Sequence, residues 1–186
     1  MSGQFIRVPA LEVQQNDKRK FYSFAIDGKQ LTNFAAVSRI RRGATQEIEG
    51  YQRPEVISHI AEIRNYLESS APLVPNAIIV AFDGRVRFES STWADSEVQY
   101  IRTGVLHIPV DSSWSEQDKP GWIVDGQQRT AAIREASIAS FPIAITAFIA
   151  EDLEEQRRQF ILVNSTKPLP KSLIFELLPM TSGRLP

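Results

Sequence analysis

The chain has 186 residues, 42% of them hydrophobic and 23% charged, which is the composition of an ordinary globular protein long enough for one cored domain spanning 1–186. No apolar run approaches the ~20 residues of a membrane-spanning helix, and Met1-Ser2-Gly3-Gln4 lacks the layout of a secretory signal, so a cytoplasmic location is expected. With no cysteine and 2 histidines, disulfides, thiolate chemistry and Cys or His-rich metal sites are excluded. The formal net charge of −1 speaks against a strong free-standing DNA binder, which carries a basic excess, but leaves room for a local patch.

Taken in order, Phe5 to Pro9 alternates as a first strand, and Lys20 to Ile26, with its alternating aromatics, as a second. Asp27-Gly28 is a turn leading into a short helix that carries Leu31, Phe34, Ala35 and Val37. Arg39, Arg41 and Arg42 then cluster; they form a solvated face or a polyanion contact, with nothing local to separate the two. Pro54 suits a first helical position, and Ile57, Ile60, Ala61, Ile63 and Leu67 give that helix its apolar stripe. Arg53 therefore stands at a helix entrance, either paired with Glu55 or clamping a phosphate. His59 and Tyr51 read as packing or surface residues. Ala77 to Phe82 is nearly continuous apolar sequence, as in a strand buried on both faces. Val86 to Phe88 and Val98 to Val110 suggest an added hairpin with a polar tip around Trp93 to Ser96. The Ser112 to Lys119 loop, holding Trp114, is where a partner or substrate surface could be inserted.

The centre of the chain is Trp122 to Ile133, read as strand, turn and helix. Trp122 to Val124 ends a buried strand, and Asp125-Gly126 turns the chain. Asp125 can cap the following helix by accepting from its first-turn N–H groups, or bind a divalent ion through water. Gln127, Gln128 and Arg129 fall in the first turn. An arginine opposes the helix dipole there, which makes sense if an anion binds: a phosphate would take the free N–H groups of Gly126 to Thr130, and Arg129 would add its fork. The spacing matches neither a Walker loop nor a Rossmann turn. Downstream, Phe141 to Ile149 is another buried strand. Asp152, Glu154 and Glu155 open a helix and suit its dipole. Asn164 and Lys167 either contact a nucleotide or simply cap and leave that helix. Pro170 to Leu178 is a last short helix. Alternating strands and helices predict an α/β fold, a small mixed sheet flanked by helices.

The segment VDGQQRTAAIREA (124–136) resembles the signature of the DGQHR/DGQQR proteins of bacterial DNA-modification clusters, within the ParB/sulfiredoxin-like superfamily. GYQRPEVISHIAEIRNYL (50–67), LVPNAIIVAF (73–82) and FILVNSTKPLPKSLIFELLP (160–179) resemble that family's other segments in order. Sulfiredoxin chemistry needs a cysteine in the turn, which Gln127 and Gln128 cannot replace. The Gln-Gln version looks most like the component that serves insertion of 7-deazaguanine bases into DNA, whereas the phosphorothioation regulator carries His at the position of Gln128. The resemblance implies a ParB/sulfiredoxin-like fold, binding of ATP or GTP with Mg²⁺, and a transglycosylase-like partner acting on DNA. It also implies a chain that continues beyond residue 186, so that this is a short form or fragment. The expected activity is ATP hydrolysis. Arg53, Asp125, Gly126, Gln128, Arg129, Thr130, Asn164 and Lys167 would hold the nucleotide, and Gln127 or Gln128 would orient the attacking water beside Arg129. No general base stands out, and no metal-ligating set is assigned. The competing reading is a non-catalytic DNA-binding regulator whose arginines grip DNA phosphates, and distant relatives suggest a nuclease as a third.

Overall fold

The computed structural model describes residues 4–17, 19–37, 54–91 and 98–150. Its frame is a single eight-stranded sheet, curled into half a barrel. The strands are β1 (Gln4–Asn16), β2 (Arg19–Asp27), β3 (Ala35–Val37), β4 (Ile78–Phe82), β5 (Arg87–Ser90), β6 (Ile101–Val110), β7 (Gly121–Asp125) and β8 (Pro142–Ile149), in the order β3-β7-β4-β8-β2-β1-β6-β5. Two α-helices are described, α1 (Pro54–Leu67) and α2 (Gln127–Glu135), with a 3₁₀ helix over Gly28–Asn33. The expected small sheet flanked by helices is therefore wrong: strands dominate, and α1, α2 and the 3₁₀ turn feed one core cluster on one face. The sheet is mixed, with β3 parallel to β7 and β4 parallel to β8.

The excess of sheet comes from β1. It extends past Pro9 to Asn16 and ladders with β6 from Gln4↔Val110 to Val13↔Ile101. The hairpin expected as an addition, now β5 and β6, thereby becomes the far half of the main sheet. The inward positions of β1 are Val8, Ala10 and Glu12, so a carboxylate occupies a place the hydrophobic pattern reserves for an apolar side chain. Glu12 is 3% exposed, with Lys20 Nζ at 2.8 Å and Arg102 Nε at 3.0 Å. A buried carboxylate requires such partners, and these come from the two neighbouring strands, β2 and β6.

The predicted helix between Ile26 and Val37 is also corrected. Asp27 accepts from Lys29 N and Phe141 N, both at 3.0 Å, which ties a short 3₁₀ turn to the start of β8. Ala35 to Val37 then pairs with Gly121 to Ile123 as a parallel edge strand. Local helix preference yields here to a ladder that only the tertiary fold offers.

The main core joins Tyr22, Phe24, Ile78, Val80, Phe82, Leu106, Ile108, Ile123 and Ile145 of the sheet to Ile60, Ile63 and Leu67 of α1 and Ala132 and Ile133 of α2. Ala81, Trp122 and Val124 project from the opposite face into a second, smaller cluster. Among the described residues, no helix is long and apolar enough to cross a membrane.

Candidate functional site

Strand β7 ends at Asp125, and the chain turns through Gly126 at φ 91° into α2. That left-handed conformation favours glycine. A Cβ at Gly126 would also lie 2.9 Å from Ile78 Cγ1 and 3.1 Å from Arg129 Nη2. Thr130 closes the first turn, its N and Oγ1 both donating to Gly126 O, at 2.9 and 3.0 Å. Gly126 is the N-cap and has no side chain with which to accept, so the expected cap by Asp125 is replaced by another arrangement.

Asp125 Oδ2 accepts from Arg129 Nη2 at 3.1 Å. Arg129 Nη1 donates to Ala77 O at 3.2 Å and to Asn76 O. The Arg129 side chain is only 18% exposed. Its fork thus ties the start of α2 to the end of β7 and to the loop before β4. The charge that opposes the helix dipole is neutralised within the protein, by one carboxylate and two carbonyl dipoles. Gln127 Nε2 makes a long bond of 3.4 Å to Ile123 O.

The amino end of α2 borders a cavity of about 510 Å³. Asp125, Gly126, Gln127, Gln128 and Arg129 line it, so the structure brings the central expected residues together. Thr130 is buried behind them. The opposite wall comes from His59, Ile63 and Tyr66 of α1 and from Leu73 to Asn76. Tyr66 Oη donates to Leu73 O at 3.1 Å and accepts from Leu73 N at 2.9 Å, which fixes that wall. The sequence pattern does not single out Tyr66 or Asn76, and it marks His59 as a packing or surface residue. The spacing of His59, Ile63 and Tyr66 on one stripe of α1 is the signal that could have found the two α1 residues; no local signal marks Asn76. Arg53, Asn164 and Lys167 lie outside the described residues, as do Arg39, Arg41 and Arg42.

This donor set offers amides and the α2 N–H groups to an anion or a polar ring. For Mg²⁺ its one carboxylate is Asp125, already joined to Arg129. Among the described residues, no group of three or more His, Asp or Glu side chains could hold a metal ion.

A model of the DndB family, DNA-sulfur modification-associated, matches residues 8–176. The chain belongs to the DndB family. No curated protein and no solved structure matches it. Membership places the chain with DNA-modification systems, as the resemblance implied, and on their sulfur side. It lends no support to the 7-deazaguanine assignment, which rested on Gln rather than His at position 128. Gln128 is one wall residue of the cavity, and a carboxamide and an imidazole can each donate and accept there. The identity of that one side chain therefore separates the two systems poorly.

Proposed function

We propose that this DndB-family chain is a non-catalytic, DNA-binding regulatory component of a DNA phosphorothioation system, working alongside the system's other proteins. Family membership supports the setting. The observation that carries the non-catalytic reading is the engagement of Arg129. Phosphoryl transfer asks for a positive group free to follow the charge that develops on the transferred phosphate. Arg129 instead holds Asp125 and the carbonyls of Asn76 and Ala77. On this reading the DGQQR turn is a structural joint, and DNA is gripped by arginines elsewhere.

The cavity beside that joint favours a second role, as the seat of a nucleotide effector such as ATP or GTP. Its volume of about 510 Å³ and its amide-rich wall suit a mononucleotide. The experiment is a paired titration of the purified protein. One arm follows labelled DNA against salt concentration; the other follows ATP, GTP and CTP with Mg²⁺ for binding and phosphate release. Salt-sensitive DNA binding without phosphate release is expected. Phosphate release abolished by Arg129→Ala, with no DNA affinity, would overturn the proposal.

A further inference from the structure

On the sheet face opposite the helices, one rung crosses three strands: Arg7 of β1 pairs with His107 of β6, and His107 pairs with Arg87 of β5. Residues directly opposite in a ladder share a face, so the two arginines flank an imidazole on one rung. Arg7 and Arg87 lie two strands apart, about 10 Å. Both are exposed, and among the described residues neither has a carboxylate partner. One step along, Phe5 pairs with Pro109 on the same face, and Phe5 is 46% exposed. The loop between β6 and β7 brings Trp114 to this place. Phe5, Arg85, Arg87, Glu89, His107 and Trp114 are among the residues that line an open groove of about 640 Å³, and Arg7, across the ladder from His107, stands beside it.

Of the two carboxylates beside the groove, Asp83 has a cationic partner within the protein and Glu89 has an imidazole. Asp83 holds Arg85, with Nη2 at 2.7 Å and Nε at 3.1 Å from its oxygens. That grip, with Arg85 Nη2 also donating to Asp118 O at 2.8 Å, places the guanidinium 5.1 Å from the centre of the Trp114 ring. Glu89 lies 2.9 Å from His107 Nε2 with its side chain 76% exposed, so one carboxylate stays in the groove wall. Trp114 is thus braced by a stacked cation, while Arg7 and Arg87 keep their forks for something outside. Free arginines beside an exposed ring such as Phe5 and a half-buried one such as Trp114 are elements that can grip unpaired nucleotides: the cations take the phosphates, and the rings stack on bases of any sequence.

We propose that this face, from β1 across β6 to β5, is a binding site for single-stranded DNA. Arg7 and Arg87 hold its phosphates, and Trp114 and Phe5 stack on its bases. The inference rests on the DNA-binding reading above and specifies which surface and which form of DNA.

The test uses the full chain and an oligothymidylate of about twenty nucleotides, with a duplex of the same length in parallel. Binding is followed by anisotropy and by tryptophan fluorescence. Single-strand binding is expected to quench the fluorescence of the wild type and not that of Trp114→Phe. Trp114→Ala weakens binding about tenfold, and Arg7→Ala and Arg87→Ala each weaken it severalfold with unchanged thermal melting. Equal binding by the wild type and both arginine variants would overturn the site while leaving the DNA reading intact. Tight duplex binding with no quenching through Trp114 would do the same. A wild type that binds neither form removes the DNA reading and the site together.

Discussion

Arg129, expected as an anion ligand, is held by groups of the protein itself. Its position in a helix's first turn suggests an anion ligand, yet its nearest partners are Asp125 and two carbonyls. Removing it leaves those groups, which lie at a partly buried joint, without their donor. Arg129→Ala is expected to cost about 2 kcal/mol, a fall of about 4–8 °C in Tm for a chain of this size. Arg129→Lys should restore little, because an ammonium cannot reach three acceptors as a planar fork does. A ligand clamp would behave differently, losing affinity with its melting temperature intact. Glu12 provides the second residue-scale test. Its hydrogen bond to Lys20 holds the ammonium above its ordinary 10.5, against the opposing effect of desolvation. Burial raises the Tyr22 phenol above its ordinary 10.0. Both groups bind their protons more tightly when folded. Their contribution is complete below pH 10 and is lost as pH rises through the folded values. Urea midpoints from pH 9 to 11 should therefore fall, and fall less steeply in Lys20→Met and Tyr22→Phe.

At the scale of the element, two glycines decide where backbones meet. Gly126 sits at φ 91° with Ile78 against it, so Gly126→Ala combines a strained φ with a contact at 2.9 Å. A cost of about 1–3 kcal/mol is expected from the backbone alone, read as a lower urea midpoint. Gly104 lies inside β6, where a Cβ would stand 2.2 Å from Glu89 O. That oxygen is main chain and cannot swing away, so Gly104→Ala should push β5 off β6. Weaker hydrogen-exchange protection over 87–90 would report the displacement, along with reduced single-strand affinity through Arg87. The strands at Lys20 to Ile26 and Phe141 to Ile149 and the helix from Pro54 were legible because each buries one continuous face, and Ala77 to Phe82 because it buries both. The Ile26 to Val37 segment was not, because a 3₁₀ turn and an edge strand together imitate the spacing of a short helix.

For the whole molecule, a net charge of −1 provides no general attraction to DNA. Affinity must come from a few placed cations, so its salt dependence should be shallow. Single-strand binding releases about 0.7 counterions per phosphate contact. Two arginine contacts then imply a slope near −1.4 in log K against log salt, and either arginine variant should take about 0.7 from it. A much steeper slope, unchanged in Arg7→Ala, would point to the basic residues between Val37 and Pro54 as the dominant contact. The sheet order has a second consequence. The groove and the α2 cavity lie on different parts of one sheet, with β8, β2 and β1 between β4 and β6. A ligand in the cavity and DNA in the groove can therefore be held at the same time.

Read alone, the chain was enough to find most strands, α1, and the strand–turn–helix at Asp125 to Thr130, because each depends on neighbours within about ten positions. It was also enough to point to DNA modification. The tertiary structure alone decided the size of the sheet, since the partners that make Glu12 tolerable in β1 lie on β2 and β6. It alone showed which carbonyls Arg129 holds, since they lie some fifty residues away. It alone set Arg7, His107 and Arg87 on one rung, because ladder register is a relation between distant segments that no local pattern encodes.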